Sequence, residues 1–145
     1  MVENHNNGPS GGTGGTPFVD DVVDDYVRLK EIRIRSGNLI DAIQTVYEKA
    51  NGDTDEKPKR GGIGGNLNVF TLDDDKFVTG IRGRFGIAVD SLIIVTNKQT
   101  SAQFGGVGGG SDYAYNAPDG TEIAGFLGRF GNVIDAIGVV LRKRS

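Results

Sequence analysis

The stretch Arg129-Phe130-Gly131-Asn132-Val133-Ile134-Asp135-Ala136-Ile137 recurs in pattern twice earlier in the chain. The copies are Arg35-Ser36-Gly37-Asn38-Leu39-Ile40-Asp41-Ala42-Ile43 and Arg84-Phe85-Gly86-Ile87-Ala88-Val89-Asp90-Ser91-Leu92. Their G-x-x-x-D cores begin at Gly37, Gly86 and Gly131, at spacings of 49 and 45 residues. A second motif keeps step with the first. Gly11-Gly12-Thr13-Gly14-Gly15 returns as Gly61-Gly62-Ile63-Gly64-Gly65 and Gly105-Gly106-Val107-Gly108-Gly109, at spacings of 50 and 44. With 24 Gly in 145 residues a single G-x-x-x-D arises by chance, but three of them phased to three GGxGG runs do not. They mark an internal threefold repeat. A repeat of about 45 residues cannot bury a core of its own, so three must pack around a common axis.

The segments around the motifs read as strands. Ile32-Arg33-Ile34-Arg35 alternates apolar and basic residues, the pattern of a half-buried strand. Ser91 to Thr96 and Ala136 to Leu141 are β-branched or apolar on both faces, as in strands packed on two sides. Each G-x-x-x-D is then a turn between two strands. GGxGG is a loop, because closely spaced glycines are poor in helices and admit positive φ. One segment competes: Asp20 to Lys30 spaces Val22, Val23, Tyr26 and Leu29 as a helical stripe would, but it runs directly into the alternating strand pattern. Asn51 to Arg60 and Ser111 to Gly120 read as loops. These readings predict an all-β unit with pseudo-threefold symmetry, its Gly-rich loops gathered at one end.

Composition excludes several functions. The chain has no Cys, which removes disulfides, thiolate nucleophiles and Cys-based metal sites. Its one His, His5, stands in a polar N-terminal stretch expected to be mobile, so neither a Ser-His-Asp triad nor a multi-His metal site fits. A net charge of −3 argues against a nucleic-acid partner. The short basic clusters Lys57 to Arg60 and Arg142 to Arg144 read as solvated surface. No apolar run is long enough to insert in a membrane and no export signal is visible, so a cytoplasmic location is expected. Enzyme motifs fail on spacing. A dinucleotide fingerprint would need Gly where Pro17, Leu67 and Ser111 stand, and no Gly-rich loop continues into the Lys-Ser or Lys-Thr of a phosphate-binding loop. The acidic runs Asp20, Asp21, Asp24, Asp25 and Asp73, Asp74, Asp75 hold enough carboxylates for a glycosidase or a calcium site. They lack the spacing of a calcium loop and read as solvated segments.

The chain resembles jacalin-related lectins in three places. Gly125 to Gly138, with its Gly-Arg-Phe-Gly-Asn-Val-Ile-Asp-Ala-Ile run, is similar to their closing segment. Gly8-Pro9-Ser10-Gly11-Gly12-Thr13-Gly14-Gly15 is similar to their opening, and Asp90 to Asn97 to their middle strand. The resemblance covers about residues 8–142. It implies the β-prism I fold, three four-stranded Greek-key sheets around a threefold axis, with residues 9–145 as a single jacalin-like lectin domain and 1–8 as a flexible N-terminal extension. It also implies carbohydrate binding without catalysis or cofactor.

In mannose-type members the sugar sits between the last Gly of a Gly-rich loop and a G-x-x-x-D turn. Carried onto this chain, that implies Gly15 with Asn132, Val133 and Asp135. One repeat on, Gly65 pairs with Asn38, Leu39 and Asp41, and a further repeat on, Gly109 pairs with Ile87, Ala88 and Asp90. The chemistry agrees: a hexose offers adjacent hydroxyls, which a fixed carboxylate accepts while neighbouring backbone N–H groups donate to the sugar oxygens. A glycine wall lets the ring approach the backbone closely. Leu39, Ala88 and Val133 place no aromatic ring in the turns, and the third pairing is expected to be the weakest. Galactose-binding members carry a freed amine near the first loop; here Met1 to Ser10 precede it, so mannose or glucose is the expected sugar. Shallow sites gain from multivalency, and a homo-oligomer is expected. The alternative is a non-catalytic protein-interaction module on the same fold with vestigial sugar loops.

Overall fold

In the computed structural model, which describes residues 4–144, every regular element is a β-strand. The hairpin of β3 (Tyr26–Ser36) and β4 (Ile40–Lys49) is flanked by β5 (Thr54–Glu56) and β6 (Arg60–Gly61) beside β4, and by β7 (Asn66–Thr71) beside β3. The next hairpin, β8 (Val78–Phe85) and β9 (Ser91–Thr96), has β10 (Phe104–Gly105) beside β9 and β11 (Ser111–Asn116) beside β8. The last, β12 (Thr121–Phe130) and β13 (Ile134–Lys143), takes its flanking strands from the other end of the chain, β1 (Asn4–Gly11) on β13 and β2 (Thr16–Val19) on β12. In each sheet the fourth strand returns beside the first, the Greek-key order. The three sheets are those of a β-prism I, and among the described residues the only ladder pairing between two of them is Ile123 with Val78.

The inner faces of the sheets make one core. Ile32 and Ile34 are fully buried while Arg33 and Arg35 stay half-exposed, so the alternation in sequence is the alternation of faces. Ile40, Val89 and Ile134, the residue before each motif Asp, are all 0% exposed. They meet across the axis: the Ile40 N–H donates to the Val89 carbonyl at 3.0 Å and the Val89 N–H to that of Ile134 at 2.9 Å. The ends of the three hairpins are thereby held together.

Several expectations from sequence change. Asp20 to Lys30 forms no helix; the chain is irregular to Asp25 and then enters β3, with Val22, Tyr26 and Leu29 buried in the core. Ser111–Asn116 is a strand, not a loop, because Tyr113 is buried and its hydroxyl donates to the Ser91 carbonyl at 2.7 Å. The Asn51 to Arg60 segment holds the short β5. Residues 4–8, expected as part of a flexible extension, are strand β1, with His5 opposite Leu141; residues 1–3 lie outside the described residues. Main-chain pairing along β13 places these polar residues without any apolar side chain, so composition carried no sign of it.

Asp20 and Arg60, read as members of solvated charge runs, are a buried pair. Asp20 is 3% exposed, and its carboxylate accepts from Arg60 at 2.6 Å, Thr45 Oγ1 at 3.1 Å and the Phe126 N–H at 2.9 Å. It ties β4 and β12 to the segment after β2. Arg142 is likewise buried, donating to the Tyr26 carbonyl at 2.7 Å and paired with Glu122.

Candidate functional site

Register explains why the motifs meet. The first Gly of each GGxGG stands opposite the residue after a motif Asp: Gly11 with Ala136, Gly61 with Ala42, Gly105 with Ser91. The strand leaving each loop begins opposite the residue before a motif Gly: Thr16 with Phe130, Asn66 with Ser36, Ser111 with Phe85. Each Gly-rich loop therefore arches over the end of one hairpin, from one outer strand to the other, and comes down on the G-x-x-x-D turn beneath it.

The same two backbone bonds fix all three junctions. Within the turn, the N–H of Gly37, Gly86 and Gly131 donates to the carbonyl of Leu39, Ala88 and Val133 at 3.0, 2.9 and 2.9 Å. Between loop and turn, the N–H of Gly62, Gly106 and Gly12 donates to the main-chain carbonyl of Asp41, Asp90 and Asp135, each at 2.9 Å. The turns are closed by main chain alone. Among the described residues no group donates a hydrogen bond to the carboxylate of Asp41, Asp90 or Asp135, so these half-buried acceptors are not turn caps. Asp20, whose carboxylate is saturated by three donors, shows the contrast.

Glycine keeps the carboxylates uncovered. Gly15, Gly65 and Gly109 have φ of +72°, +68° and +98°, the left-handed region that side chains avoid. A β-carbon there would lie 2.6, 2.6 and 2.9 Å from Oδ2 of Asp135, Asp41 and Asp90. One at Gly14, Gly64 or Gly108 would lie 3.1, 2.8 and 2.9 Å from Oδ1 of the same residues. Both oxygens of each carboxylate thus face bare backbone.

An arginine holds each loop in place. Arg129 donates from Nε and Nη2 to the Gly14 and Gly15 carbonyls at 2.9 and 2.8 Å, and Arg35 does the same to Gly64 and Gly65 at 3.0 and 2.9 Å. Arg84 departs from this: both nitrogens reach the Gly109 carbonyl, at 3.1 and 2.7 Å, and Nη1 pairs with Asp112 at 2.6 Å. These arginines recur before every motif in the sequence, and their loop-clamping role is visible only in the structure.

The junctions also touch one another. A β-carbon at Gly12 would overlap the Ile87 carbonyl, one at Gly62 that of Asn132, and one at Gly106 that of Asn38. Each loop, seated on its own turn, abuts the turn of the next junction, which closes a ring at one end of the prism. The grouping expected from sequence is the grouping observed: Gly15 with Asp135, Gly65 with Asp41, Gly109 with Asp90, each beside its own turn. Asn38, Ile87 and Asn132 are exposed, Leu39 and Val133 are half-buried, and Ala88 is 6% exposed.

The acidic run Asp73 to Asp75 lies beside a separate cleft of about 210 Å³ lined by Arg28, Phe77 and Arg144. Each of two aspartates has a cationic partner: Asp74 pairs with Arg28 at 3.3 Å, and Asp75 with Lys98 at 3.1 Å, which lowers the Asp75 pKa.

The sequence model of the jacalin-like lectin domain matches residues 7–140. The chain belongs to this family. Jacalin-related lectin 19 of Arabidopsis thaliana is 32% identical over an alignment of 107 positions that covers 68% of this chain and 58% of that protein. The match to jacalin-related lectin 3 of the same plant, 35% identical, spans 17% of that longer protein. Among solved structures, AcmJRL, a mannose-binding jacalin-related lectin from Ananas comosus, is 30% identical with a TM-score of 0.81 over 97% of this chain and 96% of that one. Artocarpin in complex with mannotriose is 26% identical with a TM-score of 0.84 over 97% and 99%. Jacalin-related lectins are non-enzymatic carbohydrate-binding proteins.

Proposed function

We propose that this domain binds mannose- or glucose-type glycans at up to three sites per chain. The observation that carries the reading is the set of three aspartate carboxylates, without a donor among the described residues, each beneath two glycines and beside a turn with outward backbone. In the first site the Asp135 carboxylate accepts the 4- and 6-hydroxyls. The amides of Asn132 and Val133 donate to the ring and exocyclic oxygens, and that of Gly15 to an oxygen near C3 or C4. The second site uses Asp41, Asn38, Leu39 and Gly65 in the same roles, and the third Asp90, Ile87, Ala88 and Gly109. Hydrogen bonds to a charged acceptor contribute about 1.5–3 kcal/mol each. A single shallow site binds weakly and three on one rigid end gain by avidity, which a homo-oligomer extends. The mannose named for AcmJRL and the mannotriose of the artocarpin complex favour the same sugar class.

The test is an amide NMR titration with methyl α-mannoside, against methyl β-galactoside, following Gly15, Gly65, Gly109 and the three turns. Saturable shifts with mannoside alone are expected, smallest in affinity at the third site. Silence to both sugars at tens of millimolar refutes monosaccharide recognition and leaves the protein-interaction reading.

A further inference from the structure

The three junctions share a backbone but not a rim. Two positions flank each carboxylate with nothing of the fold resting on their side chains: the middle residue of GGxGG and the residue after the motif Gly. In the first site these are Thr13 and Asn132, both polar, and in the second Ile63 and Asn38. In the third they are Val107 and Ile87. The exposures are extreme: 84% for Ile63, 91% for Ile87 and 94% for Val107. Scattered exposed aliphatics are ordinary on protein surfaces. Here the polar first site shows that the fold asks for no apolar side chain at either position, and the third site carries one at both. Their backbones are fixed by the loop–turn bonds, and β-branched side chains have little rotamer freedom to lose on contact. The third site is also the one where Arg84 grips a single carbonyl and where an extra Gly110, with open space around it, lengthens the loop.

Resting on the sugar-binding reading, we infer that the third site selects hexosides bearing an apolar aglycone, and that the second does so to a lesser degree. With the 4- and 6-hydroxyls on the carboxylate, the anomeric carbon lies across the ring and points outward past the loop and turn tips. The anomeric oxygen is the position where an added group removes no hydroxyl that the site uses. A ring or alkyl chain there reaches side chains that have no other partner. Burying about 25–30 Å² of apolar surface per rim residue, at about 25 cal/mol/Å², is worth about threefold in affinity. Two such residues give about tenfold.

The experiment compares methyl and phenyl α-mannoside in the same amide titration, site by site. The ratio of dissociation constants, methyl over phenyl, is expected near one at Gly14 and Gly15, about three at Gly64 and Gly65, and about ten at Gly108 and Gly109. Val107→Thr, which installs the first site's residue, is expected to lower the third ratio to about three while leaving methyl mannoside binding unchanged. Thr13→Val is expected to raise the first ratio to about three. Equal ratios at all three sites overturn the inference and leave the sugar reading intact. So does a third-site gain that survives Val107→Thr, or a third site silent to both glycosides while the others respond. Silence of every site to both glycosides removes the sugar reading and this inference together.

Discussion

Asp135→Asn separates the binding duty of a motif aspartate from any duty to the fold. The main-chain carbonyl of Asp135 holds the Gly12 N–H at 2.9 Å, and that bond survives the substitution. The carboxylate receives no donor from the described residues, so its loss costs the fold no hydrogen bond. Stability is expected to stay within about 0.5 kcal/mol, a shift of about 1–2 °C in Tm for a domain of this size. Binding behaves differently. Asn removes the charge and turns one acceptor into a donor, so at least one charge-assisted bond to the sugar is lost, about 1.5–3 kcal/mol or about 10- to 150-fold in affinity at the first site. Calorimetry measures the first quantity, and mannoside titration of the Gly14 and Gly15 amides the second. Asp20→Asn is the control of opposite sign: it strips a buried carboxylate from Arg60, Thr45 and Phe126, and breaking such a pair costs about 3–5 kcal/mol. If Asp135→Asn lowers Tm as far as Asp20→Asn does, the carboxylate is structural and the argument fails. It fails equally if the first site keeps wild-type affinity.

Gly62→Ala drives a β-carbon into the Asn132 carbonyl, with an expected cost of about 1–3 kcal/mol. Its amide shifts in an NMR map should reach Asn132 to Asp135, on a different sheet and in a different site. Arg129→Ala removes the fork on Gly14 and Gly15. Its bonds to the loop being exposed, the change should cost under about 1 kcal/mol in denaturant unfolding, yet weaken mannoside about fivefold at the first site alone, as read by titration. Alkaline pH should destabilise the fold, because burial raises the phenol pKa of Tyr26, Tyr47 and Tyr113. Below about pH 10 both states keep these protons and the stability is fully present. Above it the unfolded chain loses them first, so stability falls by about 1.4 kcal/mol per pH unit for each tyrosine. Urea melts between pH 9 and 11 test this, and Tyr113→Phe should lower the slope by about a third.

The features legible in the sequence were those that the backbone cannot supply otherwise. The phased glycines and aspartates recur because every hairpin end needs the same crossing, and Ile32 to Arg35 alternates because one face is core. Illegible were features resting on partners far along the chain or on main chain alone. Asp20 looks like its neighbours Asp21, Asp24 and Asp25 until Arg60, 40 positions on, is seen against it. Polar β1 is held by pairing that composition does not encode. Tyr113 and Tyr115 alternate in a segment whose Gly, Asn and Pro flanks advertised a loop. The arginines before each motif were visible as a recurrence, but their target, the carbonyls of a Gly-rich loop, was not.

The sheet shared by β1 and β13 sets an order of assembly during synthesis. Asp41 and Gly65 are 24 positions apart and Asp90 and Gly109 only 19, whereas Gly15 must wait for Asp135, 120 positions later. At translation rates of about 5–20 residues per second that wait is roughly 6 to 24 s. Throughout it β1 and β2 have neither β12 nor β13 to pair with, and loop closure over such a separation is the slowest kind of contact to make. The junction of Gly15 with Asp135 is thus the last of the three to close on each newly made chain, and its closure marks the moment at which the prism is shut.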